Sequence, residues 1–269
     1  MDIEKNKNVK QKKIRNITVY VVLRSLVILT MILQILNHNW NDVFLCVLTL
    51  FLLMIPSIIN KKLNIELPSV LETIILVFIF AAEILGEIQN FYGIFKQWDT
   101  ILHTINGFIM AAIGFSLIDI LNQSNKIAIT LSPLFVALVA FCFSMTIGVM
   151  WEFFEYGMDT FVKTDMQKDR IVETISSVKL NDKNENKPVI VKKIKETKIV
   201  GEINDQEGEV IIENGYLDIG LIDTIKDLIV NCIGAVVFSI LGYVYIKERG
   251  KGKFVKQFIP TLKSEKTET

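Results

Sequence analysis

Long hydrophobic runs alternate with short polar segments along most of this chain. Each run has about twenty residues, the length of an α-helix that crosses the hydrocarbon core of a bilayer. The pattern predicts six membrane-spanning helices, over residues 17–36, 42–60, 69–88, 99–121, 129–151 and 221–246. The predicted fold is therefore that of an all-α integral membrane protein, a six-helix transmembrane bundle.

A polar segment of mixed charge separates the fifth and sixth predicted helices. Within residues 160–220, stretches such as 189–191 and 209–213 are rich in Val and Ile and are bounded by glycines. This composition favours short strands, and residues 181–187 are typical of an exposed turn. We therefore expect a small extracytoplasmic insert between helices 5 and 6, for which a β-hairpin is a plausible structure.

Positive charge gives the predicted helices an orientation. Residues 1–16 carry six Lys or Arg, and further basic residues follow residue 246. Since cytoplasmic loops are enriched in Lys and Arg, both termini are predicted to be cytoplasmic. The resulting domains are a basic cytoplasmic tail (1–16), transmembrane helices 1–5 (17–159), the extracytoplasmic insert (160–220), transmembrane helix 6 (221–246) and a cytoplasmic tail (247–269).

The overall charge and the cysteines argue against other classes of protein. The chain has 29 basic and 29 acidic residues, so its charge balance gives no support to a nucleic-acid partner. The expected partner is the lipid bilayer. The three cysteines all lie in hydrophobic runs, where they act as small apolar residues rather than as a disulfide framework.

Polar residues recur at helical spacing at one end of four predicted helices. Under the predicted topology, all four stripes lie at the outer end of the bundle. Ionisable groups are costly in hydrocarbon, so we expect these stripes to face a shared polar site that descends from the outer surface. The stripes are Glu83, Glu87 and Asn90; Asp99, His103 and Asn106; Glu152, Glu155 and Asp159; and Asp223, Asp227 and Asn231.

So many carboxylates in one site need a compensating positive charge, from metal ions, protons or a cationic ligand. Carboxylates with a single imidazole suit a divalent metal such as Mg²⁺, Mn²⁺, Fe²⁺ or Zn²⁺. The alternative is a solvated rim of helix ends with ordinary caps and ion pairs. The predicted metal ligands and catalytic groups are Asp99, His103, Glu152, Glu155 and Asp227, and the predicted binding residues are Glu87, Asn106, Asp159, Asp223 and Asn231.

Several of these positions also carry a family resemblance. The segments Leu85-Gly-Glu87, Trp98-Asp-Thr-Ile-Leu-His103, Trp151-Glu-Phe-Phe-Glu155 and 223–235 resemble the YjdF-like family of uncharacterised bacterial inner-membrane proteins. More distantly, the order Asp-x-x-x-His, Glu, Asp-x-x-x-Asn-x-x-Gly looks like the VanZ-like membrane proteins, some of which are associated with glycopeptide resistance. The matching positions are Asp99, His103, Glu152 or Glu155, Asp227, Asn231 and Gly234. The resemblance implies a bacterial plasma membrane, and neither family implies an established reaction.

Three classes of function stay open, and whether the chain is an enzyme stays open with them. The first is an outer-face site that binds a divalent cation and acts on, or recognises, a lipid-linked envelope component. If that reaction is hydrolytic, a metal-bound water is the expected nucleophile, because no activated Ser or Cys is visible. The second is a non-catalytic envelope accessory or resistance protein. The third is a proton- or cation-coupled transporter, although the inner half of the predicted bundle is almost wholly apolar.

Overall fold

The structure, a computed structural model, has six helices that are long and apolar enough to cross a membrane. They are Asn16–Leu36, Trp40–Lys62, Ser69–Ile88, Trp98–Asp119, Pro133–Val162 and Leu221–Lys247. The structure describes residues 2–62, 65–123, 131–183, 185–203, 205–248, 252 and 254–262, and for residues 2–15, 65, 120–123 and 261–262 it describes the backbone alone. The mainly helical, multi-pass fold class predicted from the hydrophobic pattern is confirmed.

The described residues contain eight α-helices and eight short strands. The helices are α1 (Asp2–Leu36), α2 (Trp40–Leu52), α3 (Ile55–Lys62), α4 (Ser69–Phe80), α5 (Phe91–Ile94), α6 (Trp98–Gln123), α7 (Pro133–Gly157) and α8 (Leu221–Lys247). A π-helix, Ala81–Ile88, continues α4. The strands are β1 (Ile65–Glu66), β2 (Ile171–Val172), β3 (Thr174–Ser177), β4 (Val189–Lys192), β5 (Glu196–Ile203), β6 (Gln206–Glu213), β7 (Tyr216–Leu217) and β8 (Thr261–Leu262).

The fifth membrane helix is longer than its hydrophobic run. The run ends near residue 151, but α7 continues to Gly157 and then as a π-helix, Met158–Val162. Helical hydrogen bonds do not depend on hydrophobic side chains, so a helix need not end where the polar residues begin. Lys163 ends this helix with a left-handed φ of 65°. The non-helical part of the insert therefore begins about there.

The chain divides into two compact units, Met1–Gly148 with Asp227–Thr269, and Val149–Lys226. The first unit has two hydrophobic clusters, and α4 contributes to both. One cluster joins α4 and its π-helix to α1 and α2, through Val27, Cys46, Leu53, Leu76, Ile79 and Ile84. The other joins α4 to α6, α7 and α8, through residues that include Leu71, Ile109, Phe115, Val136, Ala140, Ala235 and Phe238.

The C-terminal segment packs into the second of these clusters. Val255, Phe258 and Ile259 are buried there, and the ring centroid of Phe258 lies 5.2 Å from that of Phe108. Strand β8 then pairs antiparallel with β1. The hydrophobic pattern does not predict this packing, because the apolar residues of the tail are few and lie among basic ones. Residues 249–251, 253 and 263–269 of the predicted tail lie outside the described residues.

The second unit contains the short strands expected between the last two membrane helices. Strands β5 and β6 form a hairpin in which Glu196 pairs with Glu213 and Ile203 pairs with Gln206. Strand β3 pairs with β4, and β2 with β7, all antiparallel. In the turn between β3 and β4, the Asn181 side chain accepts a hydrogen bond from Lys183 N and donates one to Lys187 O, both of 2.9 Å. Such side-chain hydrogen bonds are typical of Asx turns.

Candidate metal-binding site

The first unit brings three of the predicted metal ligands together. Asp99 and His103 lie one turn apart near the start of α6, and Asp227 lies near the start of α8. Ligand atoms of the three residues lie within 4.8 Å of one another. His103 Nε2 is 3.4 Å from Asp99 Oδ1 and 3.9 Å from Asp227 Oδ2. Among the residues that the structure describes, this is the one group of three or more His, Cys, Asp or Glu at such spacing.

Both separations are longer than a direct hydrogen bond, and the shorter one, 3.4 Å between His103 Nε2 and Asp99 Oδ1, lies in the range of two atoms that share an ion. An N–H···O hydrogen bond is about 2.7–3.2 Å long. Two atoms bound to one ion at about 2.0–2.2 Å, at octahedral or tetrahedral angles, lie roughly 2.8–3.6 Å apart. The side chains of Asp99, His103 and Asp227 are only 19%, 11% and 2% exposed. Buried carboxylates need a positive charge, which a metal ion or a protonated histidine would supply.

A pair of amide side chains follows this group one turn further along the same two helices. Asn106 Nδ2 donates a hydrogen bond of 3.0 Å to Asn231 Oδ1, and Asn231 is fully buried. His103 thus lies opposite Asp227, and Asn106 lies opposite Asn231. Because both contact pairs advance toward the C-terminal ends of the two helices, α6 and α8 run parallel here. The stripes predicted on these two helices therefore face each other.

Two glycines allow α6 and α8 to approach closely at this level. A Cβ atom on Gly107 would lie 2.0 Å from the backbone oxygen of Asn231. A Cβ atom on Gly234 would lie 2.0 Å from the backbone oxygen of Thr104. Both distances are far below any non-bonded contact, so larger residues would separate the two helices. Small residues at such crossings are typical of packed membrane helices.

Helix α7 supports the buried amide from a third side. Ser144 Oγ donates a hydrogen bond of 2.8 Å to Gly107 O, and Asn231 Nδ2 lies 3.6 Å from Met145 Sδ. A Cβ atom on Gly148 would lie 2.8 Å from Asn231 Nδ2. Ser144 and Met145 were not among the residues predicted from the sequence. Their spacing could have indicated them, because Ser144 and Met145 lie four and three residues before Gly148, which puts all three on one helical face.

Glu87 is a further predicted binding residue of the first unit. It is half-buried in the π-helix Ala81–Ile88. It is not among the three residues whose ligand atoms lie within 4.8 Å of one another. Its role in binding stays a prediction.

In the second unit, Glu152 and Glu155 are buried acids near the end of α7. Their residue surfaces are 4% and 8% exposed. Trp151 Nε1 donates a hydrogen bond of 2.8 Å to Glu155 Oε1. This indole fixes one oxygen of Glu155, as a residue that orients a ligand or a base would do. The roles predicted for both glutamates as metal ligands or catalytic groups stay predictions.

Asp159 and Asp223, also in the second unit, hold the loop that follows α7. Asp159 accepts hydrogen bonds of 2.8, 2.7 and 2.8 Å from Thr164 Oγ1, Met166 N and Gln167 N. Asp223 accepts hydrogen bonds of 3.0 Å from Lys168 N and 3.2 Å from Arg170. These contacts give both carboxylates a structural role, in addition to the binding role predicted for them.

The fold and the site together define a multi-pass membrane protein with an acidic and histidine-containing cluster between two of its helices. The chain belongs to the family described as predicted membrane protein DUF2238, whose pattern matches residues 18–248. This is the family of the YjdF-like resemblance, which is thereby confirmed, whereas the VanZ-like resemblance gains no support. No curated protein and no solved structure matches the chain.

Proposed function

We propose that this protein binds a divalent cation through Asp99, His103 and Asp227, and that it uses the ion to recognise or act on a lipid-linked envelope component. The observation that carries the proposal is the meeting of three ligand atoms within 4.8 Å in a membrane-spanning protein. Ionisable residues inside a membrane helix are costly, and those that occur are commonly functional.

The donor atoms favour a small group of ions. Two carboxylates and one imidazole offer oxygen and nitrogen, which suit Mg²⁺, Mn²⁺, Fe²⁺ or Zn²⁺. Three protein ligands leave coordination positions open for water or a substrate, as in catalytic rather than structural metal sites. When bound, such an ion would polarise a phosphoryl or carbonyl oxygen or supply a metal-bound water as a nucleophile.

The surroundings of the group support a substrate with a polar head and a lipid tail. The side chains of Asp99 and His103 are only 19% and 11% exposed, whereas Ile101, on the same helical turn of the candidate span Trp98–Asp119, is 50% exposed. A head group could reach the ion while its tail stays in lipid. In this proposal Asn106 and Asn231 orient the ligands. The roles of Glu152 and Glu155 as metal ligands or a general base, and of Glu87, Asp159 and Asp223 in binding, are proposed from the sequence pattern alone.

Metal analysis of the purified full chain tests the proposal directly. The protein would be stripped with a chelator, reloaded with Mg²⁺, Mn²⁺, Fe²⁺ or Zn²⁺, and compared with the variants Asp99→Asn and Asp227→Asn. Asp119→Asn is the matched control, because Asp119 lies near the other end of α6. We expect stoichiometric metal in the wild type and the control and a loss in both site variants. Ion at 100 times its dissociation constant should also add about 2.7 kcal/mol to the free energy of unfolding.

Substoichiometric metal in the wild type, with no change in melting temperature on adding these ions, would contradict the proposal. A protonated His103 between the two acids would then be the better account of the cluster.

The alternative hypothesis, a non-catalytic envelope accessory protein, makes a different prediction about the β5–β6 hairpin. Asn214 N donates a hydrogen bond of 2.7 Å to Lys195 O, so the chain ends on either side of the hairpin are already adjacent. Residues 196–213 can therefore be excised and the ends joined through a short glycine link. A protein that works through this hairpin would lose its function in cells, whereas one that works through the metal group should keep both function and metal.

A further inference from the structure

Glu83 is a buried acid that the proposed metal site does not use. It lies in the π-helix Ala81–Ile88, within the membrane span Ser69–Ile88, and is 3% exposed. Its Oε2 atom accepts no hydrogen bond from the residues that the structure describes. A buried carboxylate oxygen without a donor has lost its hydration without replacement, so its charge is strongly disfavoured.

The helices packed against this π-helix offer little positive charge. Helix α1 shares a hydrophobic cluster with the π-helix, and its membrane span contains Arg24, which donates a hydrogen bond of 2.8 Å to the Tyr20 hydroxyl. The helices in closest contact with the π-helix are α2, α4, α5 and α6, and none of these four contains Lys or Arg. Their one basic side chain, His103, lies beside Asp99 and Asp227. Glu87, one turn along the π-helix, adds negative charge near Glu83. The other ionisable residues of these helices are Asp42, Cys46, Glu72, Tyr92, Asp99 and Asp119.

A bound metal ion does not account for how the charge of Glu83 is neutralised. Protein sites for divalent ions use several ligands from the chain. Among the described residues, the group of three or more ligands within 4.8 Å consists of Asp99, His103 and Asp227 and does not include Glu83. A proton needs no further ligand and removes the charge altogether.

We propose that Glu83 is a proton-binding site inside the membrane, where its carboxyl carries a proton as a neutral acid at neutral pH. The local backbone supports a functional role, because π-helical segments are rare and frequently occur at functional sites. As a neutral acid, Glu83 is a hydrogen-bond donor, and any step that ionises it releases a proton. This inference does not depend on the metal group, so either can fail without the other.

Infrared spectroscopy of the full chain in lipid tests the protonation state of Glu83. The spectrum at neutral pH should contain the carbonyl band of a protonated carboxylic acid, shifted when the protein is moved into D₂O. The spectrum of Glu83→Gln should lack this band, so the band should appear in the spectrum of the wild type minus Glu83→Gln. Glu72→Gln is the matched control, since Glu72 lies in the same membrane span but accepts a hydrogen bond of 2.6 Å from Asn16 Nδ2, and this variant should keep the band. No acid carbonyl band in the spectrum of the wild type minus Glu83→Gln would overturn the proposal.

A second measurement needs no variant and covers the case in which Glu83→Gln fails to fold. A hydrophobic carbodiimide reacts with protonated carboxyl groups in apolar surroundings, and peptide mass spectrometry locates the product. We expect the carbodiimide to modify Glu83 of the wild-type protein in membranes at neutral pH. Modification of other buried acids with none at Glu83 would contradict the inference.

Discussion

Asn106 and Asn231 are joined by a side-chain hydrogen bond of 3.0 Å although they are 125 positions apart in the sequence. The bond lies one turn along α6 and α8 from His103 and Asp227. It therefore fixes which residues of the two helices face each other, and it links the packing of the first unit to the geometry of the candidate metal group.

Replacing Asn231 with Leu should destabilise the protein and weaken metal binding together. The change leaves the Asn106 amide without its acceptor inside the bundle, at a cost of about 1–3 kcal/mol in the free energy of unfolding. Thermal melting and metal content would be measured on the same preparations. Thr146→Val is the control, because Thr146 is exposed and bonds only to a carbonyl of its own helix, Cys142 O. Equal losses in both variants would refute the special role of Asn231.

Glycine-to-alanine changes should separate the close helix crossing from ordinary helix positions. Gly107→Ala places a Cβ atom 2.0 Å from Asn231 O, so we expect a loss of about 1–3 kcal/mol in stability. Gly157→Ala meets nothing within 4 Å and should be neutral or stabilising by up to about 1 kcal/mol, because alanine favours a helix. Melting temperatures in one detergent decide the comparison. A tolerated Gly107→Ala would mean that the helices are not held this closely.

Asp169 should make the second unit less stable as the pH rises. Partial burial of its carboxyl, and then the charges of Asp165, Asp218 and Asp159, raise its pKa above the ordinary 3.8, although a hydrogen bond from Gly220 lowers it. The folded state then holds the proton more tightly than the unfolded state, so stability is higher at low pH and falls as the pH rises from about 3.8 through the raised value.

The test for Asp169 is the variant Asp169→Asn, which removes this titration. The melting temperature of the variant, relative to that of the wild type, should be higher near pH 7 than near pH 4. The residue is exposed, so the effect should be small. Asp182→Asn, in an exposed turn, serves as the control. A wild-type minus variant difference that does not change with pH would refute this linkage.

Phe258→Ala should cost more stability than a change at any exposed position of the same segment. Its ring lies 5.2 Å from Phe108 and 6.4 Å from Phe238, and only 6% of the residue is exposed. Truncating a buried phenylalanine costs about 3–5 kcal/mol in a protein core. Lys256→Ala, on the exposed side of the segment, is the matched control. Similar melting temperatures for the two variants would show that the segment is not held in the core.

The predicted orientation can be tested with an impermeant thiol reagent in intact cells. Single cysteines at Ser177 and Ser264 would be introduced into a protein that lacks its three natural cysteines. We expect labelling of Ser177→Cys and none of Ser264→Cys, because the positive-inside rule puts both tails in the cytoplasm. Labelling of the second position alone would reverse the orientation.

The membrane helices could be predicted because the bilayer leaves few alternatives for a hydrophobic run. Every backbone polar group in hydrocarbon needs a partner, so each run of about twenty residues becomes a helix. The end of α7 was harder, because Glu152 and Glu155 lower the hydropathy without ending the helix. The C-terminal packing could not be found in this way, since Val255 and Phe258 form a pattern too short to distinguish from a loop.

The meeting of the Asp99, His103 and Asp227 side chains could be predicted, because they recur at helical spacing at the same end of the predicted bundle. The contacts of Ser144 and Met145 were not, because neither residue is charged and each lies in a hydrophobic run. Asp159 and Asp223 show the opposite difficulty. Their spacing matches the predicted stripes, but they accept hydrogen bonds from backbone amides and from the Thr164 and Arg170 side chains of the loop after α7, which no periodic pattern specifies.

The packing of Phe258 against Phe108 also has a consequence for biogenesis. Leu71, Ile109 and Phe258 belong to one hydrophobic cluster, but the first two are synthesised long before the third. Contacts across such sequence distances form late, since the intervening chain must be ordered first. Until then the earlier helices expose an unfilled apolar surface, which is the state most open to misassembly. The maturation of this protein should therefore be sensitive to factors that protect newly inserted membrane helices.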